Sequence, residues 1–368
     1  MHSLRWRRMP MEAESPEEIG YARIRANLAE SSCRDRTLAE LGIDLRDEVL
    51  LYGDHRGLLP LREDLAAEAG LEPDDVLIAA GAAMALFLVA ATLLGPAAHL
   101  VVVRPNYATN LETPFALGAP TTHLDVRLEQ GFRLDLERVA SAIRPDTRLV
   151  SVTTPHNPTG VEMDAGTLRG LVALADRHMC HLLVDETYRD MAGVAVPIAA
   201  SLSPRAISIS SVSKTYGVPG IRVGWVLCAD RAVQARLLAA KEQIVLTGSV
   251  LDETVALRVR ERRGELLPGI RAHIASQRAI MDAWLRGERR LEWVPPTGGV
   301  VGFPRIRAAI DTAPFYTHLA AAGIHVGPGR WFDQDPRHFR IGWGWPTAEE
   351  LTLGLAGITE ALDAAFSG

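Results

Sequence analysis

The sequence of 368 residues contains few cysteines, few lysines and no strong excess of either charge. Cys33, Cys180 and Cys228 are too few and too scattered for a disulfide framework, so we expect a protein of the reducing cytoplasm. A formal net charge of −6 gives no electrostatic reason to expect nucleic acid or an anionic membrane as a partner. Hydrophobic residues at 48% and charged residues at 23% argue against a disordered or fibrous chain.

The scarcity of lysine is the most informative of these features. Of 39 basic residues only two are lysines, Lys214 and Lys241, and the others are arginines. A lysine amine can lose its proton and form a Schiff base, which a guanidinium cannot do. A lysine retained in such a chain therefore points to that chemistry. Composition bias that left two lysines is the alternative.

Uninterrupted apolar runs of membrane-spanning length are also scarce. The stretch from Val76 to Val103 has 28 residues without a formal charge, which is long enough to cross a bilayer. Gly81, the Gly95-Pro96 pair and His99 divide it into pieces of strand and helix length, so we interpret it as a buried β-α-β unit. Near the amino terminus three arginines are followed by no apolar segment, so no secretory signal is predicted.

Short apolar runs alternate with amphipathic stretches from about residue 76 to 228. Strands separated by helices predict a mostly parallel central sheet covered by helices. The remainder, with a final helix at about 347–365, indicates a smaller α+β part. We therefore predict an α/β fold with a large domain at 48–265 and a small domain formed by 1–47 and 266–368. Ligands of such sheets bind beyond the carboxyl ends of the strands.

The strongest polar cluster, SVSKTYGVPGIRVGW, follows one of the predicted strands. Ser211, Ser213 and Arg222 suit a phosphate dianion, because hydroxyls and a guanidinium donate hydrogen bonds to its oxygens. Lys214 lies between them in sequence and places an amine beside that phosphate. The cluster predicts a phosphate-bearing ligand that reacts with an amine.

Three further clusters lie at strand ends. Asp185 ends a strand in VDETYRD and Tyr188 follows it; a buried carboxylate pairs with a cationic ring nitrogen, and a phenol can bond a ring oxygen. Asn157 stands between two prolines in TTPHNPTG, a turn that presents one side-chain amide. In AAGAAMALF, Ala82 and Ala83 open a predicted helix whose free N–H groups favour a phosphate.

Together these patterns resemble the class I/II aminotransferase family of pyridoxal-phosphate enzymes with the type I fold. S-x-S-K-x7-R, D-E-x-Y and P-x-N-P-T-G occur in the family's order, and the likeness extends from about residue 19 to 365. The resemblance implies pyridoxal 5'-phosphate (PLP) as cofactor and an aspartate-aminotransferase-like large domain. It also implies transfer of an amino group between an amino acid and a 2-oxo acid, in a cytoplasmic homodimer.

The resemblance assigns the catalytic roles to Lys214, Asp185 and Tyr188. Lys214 would form the internal aldimine and later move the substrate's α-proton, and Asp185 would keep the pyridine nitrogen protonated. Tyr188 and Asn157 would hydrogen-bond the phenolic oxygen of the ring. Arg340, in FRIGWGW, would bind the substrate's α-carboxylate, with Asn157 also counted in the substrate site.

The other residues implied by the resemblance bind the cofactor. Tyr107, in RPNYATN, would stack on the ring, and Tyr52, in LLYGDHRG, would reach the phosphate of the neighbouring subunit. The phosphate would also be bound by Ala82, Ala83, Ser211, Ser213 and Arg222. Many family members have a hydroxyl residue at the position of Ala82 or Ala83, so phosphate binding here depends more on the backbone and on Arg222.

Three segments, YARIRANLAESSCRDRTLAEL, YGDHRG and PHNPTG, are similar to a subgroup that includes capreomycidine synthase. That enzyme uses the same cofactor to cyclise a hydroxylated arginine. The alternative function is therefore a PLP-dependent cyclase, lyase or oxidase acting on an arginine-like amino acid. In this subgroup Glu30, Ser31 and Ser32 belong to a segment that replaces the usual N-terminal active-site strand, so they are candidates to approach the substrate. A capping or surface segment is the other interpretation.

Three observations leave other interpretations open. Trp331, Trp343 and Trp345 lie near Arg340 in sequence and favour an apolar, aromatic or cationic substrate side chain, although tryptophans more often serve packing. The RHMCHLL segment hints at metal ligands but lacks a second ligand pair, so no metal site is predicted. A non-catalytic effector-binding domain is possible in principle, but no DNA-binding segment accompanies it.

Overall fold

The computed structural model describes residues 4–367. Its helices are α1 (Pro10–Ala13), α2 (Pro16–Ile19), α3 (Leu59–Ala69), α4 (Gly81–Leu93), α5 (Ala108–Ala116), α6 (Leu136–Ala142), α7 (Ala165–His178), α8 (Arg231–Ile244), α9 (Val250–Glu261), α10 (Arg263–Gly287), α11 (Ala313–Ala322) and α12 (Ala348–Phe366). Its strands are β1 (Ala26–Asn27), β2 (Val76–Ala80), β3 (His99–Arg104), β4 (Thr121–Asp125), β5 (Thr147–Thr153), β6 (His181–Asp185), β7 (Ala206–Ser211), β8 (Val223–Leu227), β9 (Leu291–Glu292), β10 (Val301–Gly302), β11 (Arg305–Ile306), β12 (Ile324–His325), β13 (Gly327–Pro328) and β14 (Phe339–Gly342).

The central sheet has seven strands in the order β2-β8-β7-β6-β5-β3-β4. All neighbours pair in parallel except β8, which runs antiparallel to both β2 and β7. Alternate residues of a strand face opposite sides of a sheet. In β3, Val101 packs in a core cluster with Leu171 of α7, whereas Val102 packs in a second cluster with Leu86 of α4. Both faces are thus covered by helices, as the uninterrupted apolar strands predicted.

The charge-free stretch from Val76 to Val103 folds as β2, α4 and most of β3, and therefore matches the predicted β-α-β unit. No helix within residues 4–367 is long and apolar enough to cross a membrane. Capping residues begin several of the helices: at the start of α7, for example, the Asp164 carboxylate accepts from the N–H of Thr167. Gly264 and Pro268 lie in the first two turns of α10 and do not interrupt it.

The suspected metal motif does not form a metal centre. Cys180 is fully buried in the core, and Nε2 of His181 lies 3.3 Å from the carboxylate of Asp230. Across the described part of the chain, no group of three or more histidine, cysteine or acidic residues is placed to hold a metal ion. Cys180 therefore serves packing, and His181 pairs with Asp230.

The amino-terminal segment lies beside the carboxyl-terminal part of the chain. Its strand β1 pairs in parallel with β12, and Leu28 shares a core cluster with Ile341 of β14. Met11 and Ala29 instead pack in the cluster that contains Phe303. This double attachment holds the segment over the carboxyl edge of the central sheet. The division into domains at 48–265 stays a prediction.

Candidate active site

A cavity of about 550 Å³ lies between the carboxyl edge of the central sheet and the amino-terminal segment. All but one of the predicted site residues line it. They are Ala82, Ala83, Tyr107, Asn157, Asp185, Tyr188, Ser211, Ser213, Lys214, Arg222 and Arg340. We call the residues at the strand ends the strand-end floor, and those of the segment from Met11 to Asp35 the N-terminal wall.

Neighbouring parallel strands assemble the strand-end floor. Strands β7, β6, β5 and β3 lie side by side. Asp185 ends β6 and Ser211 ends β7, with Lys214 three residues further on. Tyr107 and Asn157 follow β3 and β5 within four residues. Because parallel strands end at the same edge, residues far apart in sequence converge there, as the sheet rule predicted.

Asp185 is a buried carboxylate with one oxygen left for a ligand. It is only 5% exposed, and burial raises the pKa of its carboxyl while hydrogen bonds from Thr187 lower it. Thr187 donates from its backbone N–H (3.1 Å) and its hydroxyl (2.6 Å), both to Oδ1. Within residues 4–367 no donor bonds Oδ2. A buried anion that lacks a partner is costly, so this atom suits a cationic N–H in the cavity.

A group of hydrogen-bond donors lines the same cavity at the start of α4. Gly81 has φ +78°, and a Cβ there would overlap the guanidinium of Arg222, so only glycine allows this close approach. Nη1 of Arg222 also donates to Oγ of Ser213 at 3.4 Å. In the described chain no side chain caps α4, which leaves the N–H groups of Ala82 and Ala83 for a ligand. These donors fit a phosphate.

Arg340 is fully enclosed at the opposite end of the floor. Its Nη1 donates to Oδ1 of Asn157 at 2.9 Å, and its Nη2 donates to the carbonyl of Ala29 at 2.5 Å. The rings of Trp331 and Phe332 lie 6.0 and 5.1 Å from the guanidinium carbon. Nε has no partner among the described residues, and burial lowers the pKa of this guanidinium. Such a group suits a carboxylate ligand, since charge-assisted pairing would offset its desolvation.

Two tyrosines complete the floor. The backbone N–H of Tyr107 donates to Oδ1 of Asn106 at 2.8 Å, and its hydroxyl donates to Oε1 of Glu12 at 3.2 Å. Burial raises the pKa of the Tyr107 phenol. Tyr188 is 4% exposed and lines the cavity next to Asp185. The floor therefore offers one aromatic ring tied to the wall and one phenol near the buried carboxylate.

Tyr52 is the predicted site residue that does not reach this cavity. Its side chain is 84% exposed, and the neighbouring Val49, Leu50 and Leu51 are exposed as well. Four consecutive exposed residues of this kind are unusual on the surface of a monomer. The position agrees with a contact to a second subunit, which stays a prediction.

The N-terminal wall closes the cavity opposite the floor. The segment Glu30–Ser32 lines the cavity, so in this structure it is not a surface segment. The backbone N–H of Cys33 donates to the carbonyl of Lys214 at 2.8 Å, which ties the wall to the turn that carries this lysine. Trp331 also lines the cavity and donates through Nε1 to Oε2 of Glu14 at 2.7 Å.

The other two tryptophans have different surroundings. Trp343 is 1% exposed in the core near α12, so its role is packing. Trp345 stacks on Tyr21 with ring centroids 6.2 Å apart, and its Nε1 donates to Oδ2 of Asp35 at 3.0 Å. Tyr21 and Asp35 both line the cavity, although Trp345 itself does not.

Carboxylates are the feature of the wall that sequence reasoning largely missed. Those that line the cavity are Glu12, Glu17, Glu30 and Asp35, of which only Glu30 was a candidate. Burial raises the pKa of Glu30, and the charge of Lys214 opposes that shift, as does the charge of Arg340. Glu30 therefore lies close enough to Lys214 and Arg340 for their charges to affect its ionisation. The sequence did not indicate the other three, because Glu12 and Glu17 lie in very short helices and Asp35 in a loop, with no characteristic spacing.

Residues 26–358 match the family model for aminotransferase class I and II, and the chain belongs to this family. It is a PLP-dependent enzyme of the α/β fold that the sequence predicted. The site fits the cofactor, because a buried carboxylate, an amine and a phosphate-binding helix start surround one cavity. When bound, PLP supplies an electron sink for reactions at the substrate's Cα.

Named relatives share the fold but differ in reaction. The chain is 33% identical to capreomycidine synthase of Streptomyces vinaceus over 315 residues, which cover 84% of this chain and 79% of that enzyme. It is also 33% identical to arginine–pyruvate transaminase AruH of Pseudomonas aeruginosa over 323 residues, covering 84% and 80%. A solved structure of the PLP-dependent cyclase OrfR superposes with a TM-score of 0.84 and 28% identity, covering 98% and 99%. The resemblance to this subgroup is confirmed, and the reaction remains to be assigned.

Proposed function

We propose that this enzyme transfers the amino group of an amino acid with a cationic side chain to a 2-oxo acid. The observation that carries the proposal is the set of carboxylates on the N-terminal wall, which face a cavity whose floor holds Lys214 and Arg340. Opposite charges at the two ends of one cavity suit a zwitterionic substrate with a further positive charge. The names of two relatives, an arginine transaminase and a capreomycidine synthase, agree with a guanidinium side chain.

Arg340 and Asn157 would orient the substrate. Arg340 donates to the α-carboxylate, and Asn157 holds the guanidinium through the 2.9 Å bond to its Oδ1. The α-amine then lies towards Lys214, and the side chain extends to the N-terminal wall. Glu30, which is influenced by the charges of both cations of the floor, is the carboxylate best placed to meet the substrate's side chain.

Lys214 would carry the cofactor and then move the proton at the substrate's Cα. Asp185 would hold a proton on the ring nitrogen of the cofactor through its free Oδ2, and Tyr188 with Asn157 would bond the ring oxygen. Ser211, Ser213 and Arg222 would hold the phosphate with the start of α4. The N-terminal wall excludes water from the reacting atoms.

The enzyme would work as a homodimer in the cytoplasm. The exposed Tyr52 and its apolar neighbours would contact a second subunit, where Tyr52 would reach the phosphate. Arg222 is also exposed in the single chain, so that partner would cover a phosphate ligand that one subunit leaves open to solvent.

The second candidate is cyclisation of a β-hydroxylated arginine-like substrate. It is supported by the likeness to capreomycidine synthase and to the cyclase OrfR. The net reaction would lose water: the Cβ–O bond breaks, a side-chain nitrogen bonds to Cβ, and that nitrogen gives up a proton. Glu30 is a carboxylate near Lys214 that could accept this proton.

A single-turnover experiment separates these functions. Holoenzyme is mixed with arginine, citrulline, glutamate or β-hydroxyarginine, without an acceptor, and the visible spectrum and the products are recorded. Transamination of a cationic donor predicts fast conversion of the bound cofactor to its pyridoxamine form with arginine, slow conversion with citrulline, and a 2-oxo acid product. A product lighter than β-hydroxyarginine by one water, with no pyridoxamine form, would assign the cyclase. Faster conversion with glutamate than with arginine would contradict the substrate class.

A further inference from the structure

Two loops of the strand-end floor carry residues assigned to different parts of the cofactor ring. One residue would stack on its face, and the other would bond its phenolic oxygen. The loop after β3 carries Tyr107, and the loop after β5 carries Asn157. The two strands are hydrogen-bonded neighbours, but their ladder is described only from His99 to Val102. Beyond that point some other contact has to fix one loop relative to the other.

Two buried side chains do so: the hydroxyl of Thr153 at the end of β5 donates to Oδ1 of Asn106 at 3.2 Å, and His156 joins one loop to the other. His156 is 6% exposed, and Nε2 lies 2.9 Å from the carbonyl oxygen of Pro105 in the first loop. Its Nδ1 lies 2.8 Å from Oγ1 of Thr159 in its own loop. The imidazole therefore bridges the residue two before Tyr107 and the turn that presents Asn157.

The hydrogen bonds of this bridge have a single possible direction for a neutral ring. A carbonyl oxygen only accepts, so Nε2 must carry the proton and donate to Pro105. Nδ1 then accepts from the hydroxyl of Thr159, and that hydroxyl oxygen accepts in turn from the N–H of Val161 at 3.3 Å. Burial lowers the pKa of His156 to about 4, so the ring stays neutral and the bridge persists at physiological pH.

We propose that His156 is a positioning residue for the cofactor, which sets the distance between the Tyr107 loop and the Asn157 loop. The inference rests on the cofactor roles proposed above for Tyr107 and Asn157. It does not depend on whether the enzyme transaminates or cyclises. Loss of the His156 hydrogen bonds weakens the contacts of both loops with the cofactor ring. It also lets Asn157 shift, together with Arg340, which donates to it.

A second buried histidine provides a matched control. His99 is fully buried at the amino end of β3, where its nitrogens lie 2.7 Å from Oγ1 of Thr147 and 2.8 Å from Oγ1 of Thr122. It thus also bridges neighbouring strands of the sheet. It lies at the edge remote from the cavity, so its replacement measures the loss of stability alone.

The test compares H156F, H156Q and H99F in the purified full chain. Phenylalanine keeps most of the ring volume and removes both hydrogen bonds, whereas the amide nitrogen of glutamine can still donate to Pro105. We expect both phenylalanine variants to lower the melting temperature of the apoenzyme. Only H156F should raise the dissociation constant for PLP, by about 10-fold, which corresponds to about 1.4 kcal/mol. H156F should also shift the pH midpoint of the bound cofactor's visible absorption.

H156Q should restore the PLP dissociation constant to within about threefold of the wild type. If H156F does not fold, H156N replaces it, since the shorter asparagine amide does not reach Pro105. Equal PLP affinity and an equal pH midpoint in the wild type and in H156F (or H156N) would overturn the inference. N157A separates this failure from a failure of the proposed cofactor roles. If N157A also binds PLP like the wild type, the assignment of Asn157 is wrong. If N157A binds PLP more weakly but the His156 variants bind it like the wild type, His156 is not a positioning residue.

Discussion

The strand-end floor and the N-terminal wall enclose the same cavity but are built in different ways. Most floor residues stand at or next to the ends of strands of the central sheet, in short motifs that predict their chemistry, whereas Arg340 lies in β14 of a separate antiparallel sheet. Wall residues come from a segment of short helices and loops, which is attached through the short pair of β1 and β12 and through single hydrogen bonds such as that from Cys33 to Lys214. The floor provides chemistry that a whole family shares. We propose that the wall determines which side chain the cavity accepts.

This difference predicts that floor variants damage all substrates alike, whereas wall variants discriminate between them. The largest effect is expected for K214A, because in the proposed function the amine both carries the cofactor and moves a proton. Turnover should fall by about 10⁴-fold or more with any amino acid. Mass spectrometry of borohydride-reduced holoenzyme should find the cofactor on the peptide that contains Lys214. Cofactor trapped on Lys241, or full activity in K214A, would overturn the assignment.

The next largest effect is expected for R340K. A lysine cannot pair in the bidentate way of a guanidinium, and a buried charged hydrogen bond contributes about 1.5–3 kcal/mol. The KM of arginine and of citrulline should therefore rise together, by about 10- to 100-fold. R337K, at a half-buried position that pairs with Asp335, is the control and should leave both values unchanged. A rise in KM for only one of the two donors would indicate that Arg340 contacts the side chain of the substrate and not its α-carboxylate.

A smaller and selective effect is expected for E30Q on the wall. Loss of one carboxylate should raise the KM of arginine by about 10-fold and leave that of citrulline, its neutral analogue, almost unchanged. Because burial raises the pKa of Glu30, the wild type should lose its preference for arginine as the pH falls through that pKa. E30Q should show no such dependence. E18Q, whose carboxylate pairs with Arg8 and does not line the cavity, is the control. An equal rise in the KM of arginine and of citrulline in E30Q would show that the wall does not discriminate between substrates in the way proposed.

The smallest effect concerns stability beneath the floor. Glu186 is 3% exposed, its Oε1 accepts from the N–H of Ala199 at 2.9 Å, and burial raises the pKa of its carboxyl to about 7. The folded state therefore binds more protons than the unfolded state between pH 4.5 and about 7, so the free energy of unfolding falls as the pH rises through this window.

E186Q removes this titration. Its melting temperature relative to the wild type should therefore increase from pH 5 to pH 7.5, by about 1–2 °C for each kcal/mol involved. E63Q, at an exposed position of α3, should follow the wild type at each pH. A constant difference between E186Q and the wild type across this range would show that Glu186 does not titrate there.

Most of the floor could be predicted from the sequence because most of its residues stand next to an end of a strand in the central sheet. Asp185 and Lys214 can be identified from the short motifs that surround them, and the parallel sheet then brings them together at one edge. The carboxylates of the wall could not be found in this way. Glu12 and Asp35 reach the cavity only because a segment of short helices and loops crosses the sheet edge, and that path depends on contacts with residues some 300 positions away. Local patterns carry no signal for such a path.

The pairing of β1 with β12 also sets the order in which the site can be completed during synthesis. Ala26 leaves the ribosome early, yet its partner Ile324 follows about 300 residues later, so the nascent chain exposes an unpaired strand for most of its elongation. The seven-stranded sheet can fold first, with its reactive lysine uncovered. Entry of the cofactor before this late closure would be easier than after it.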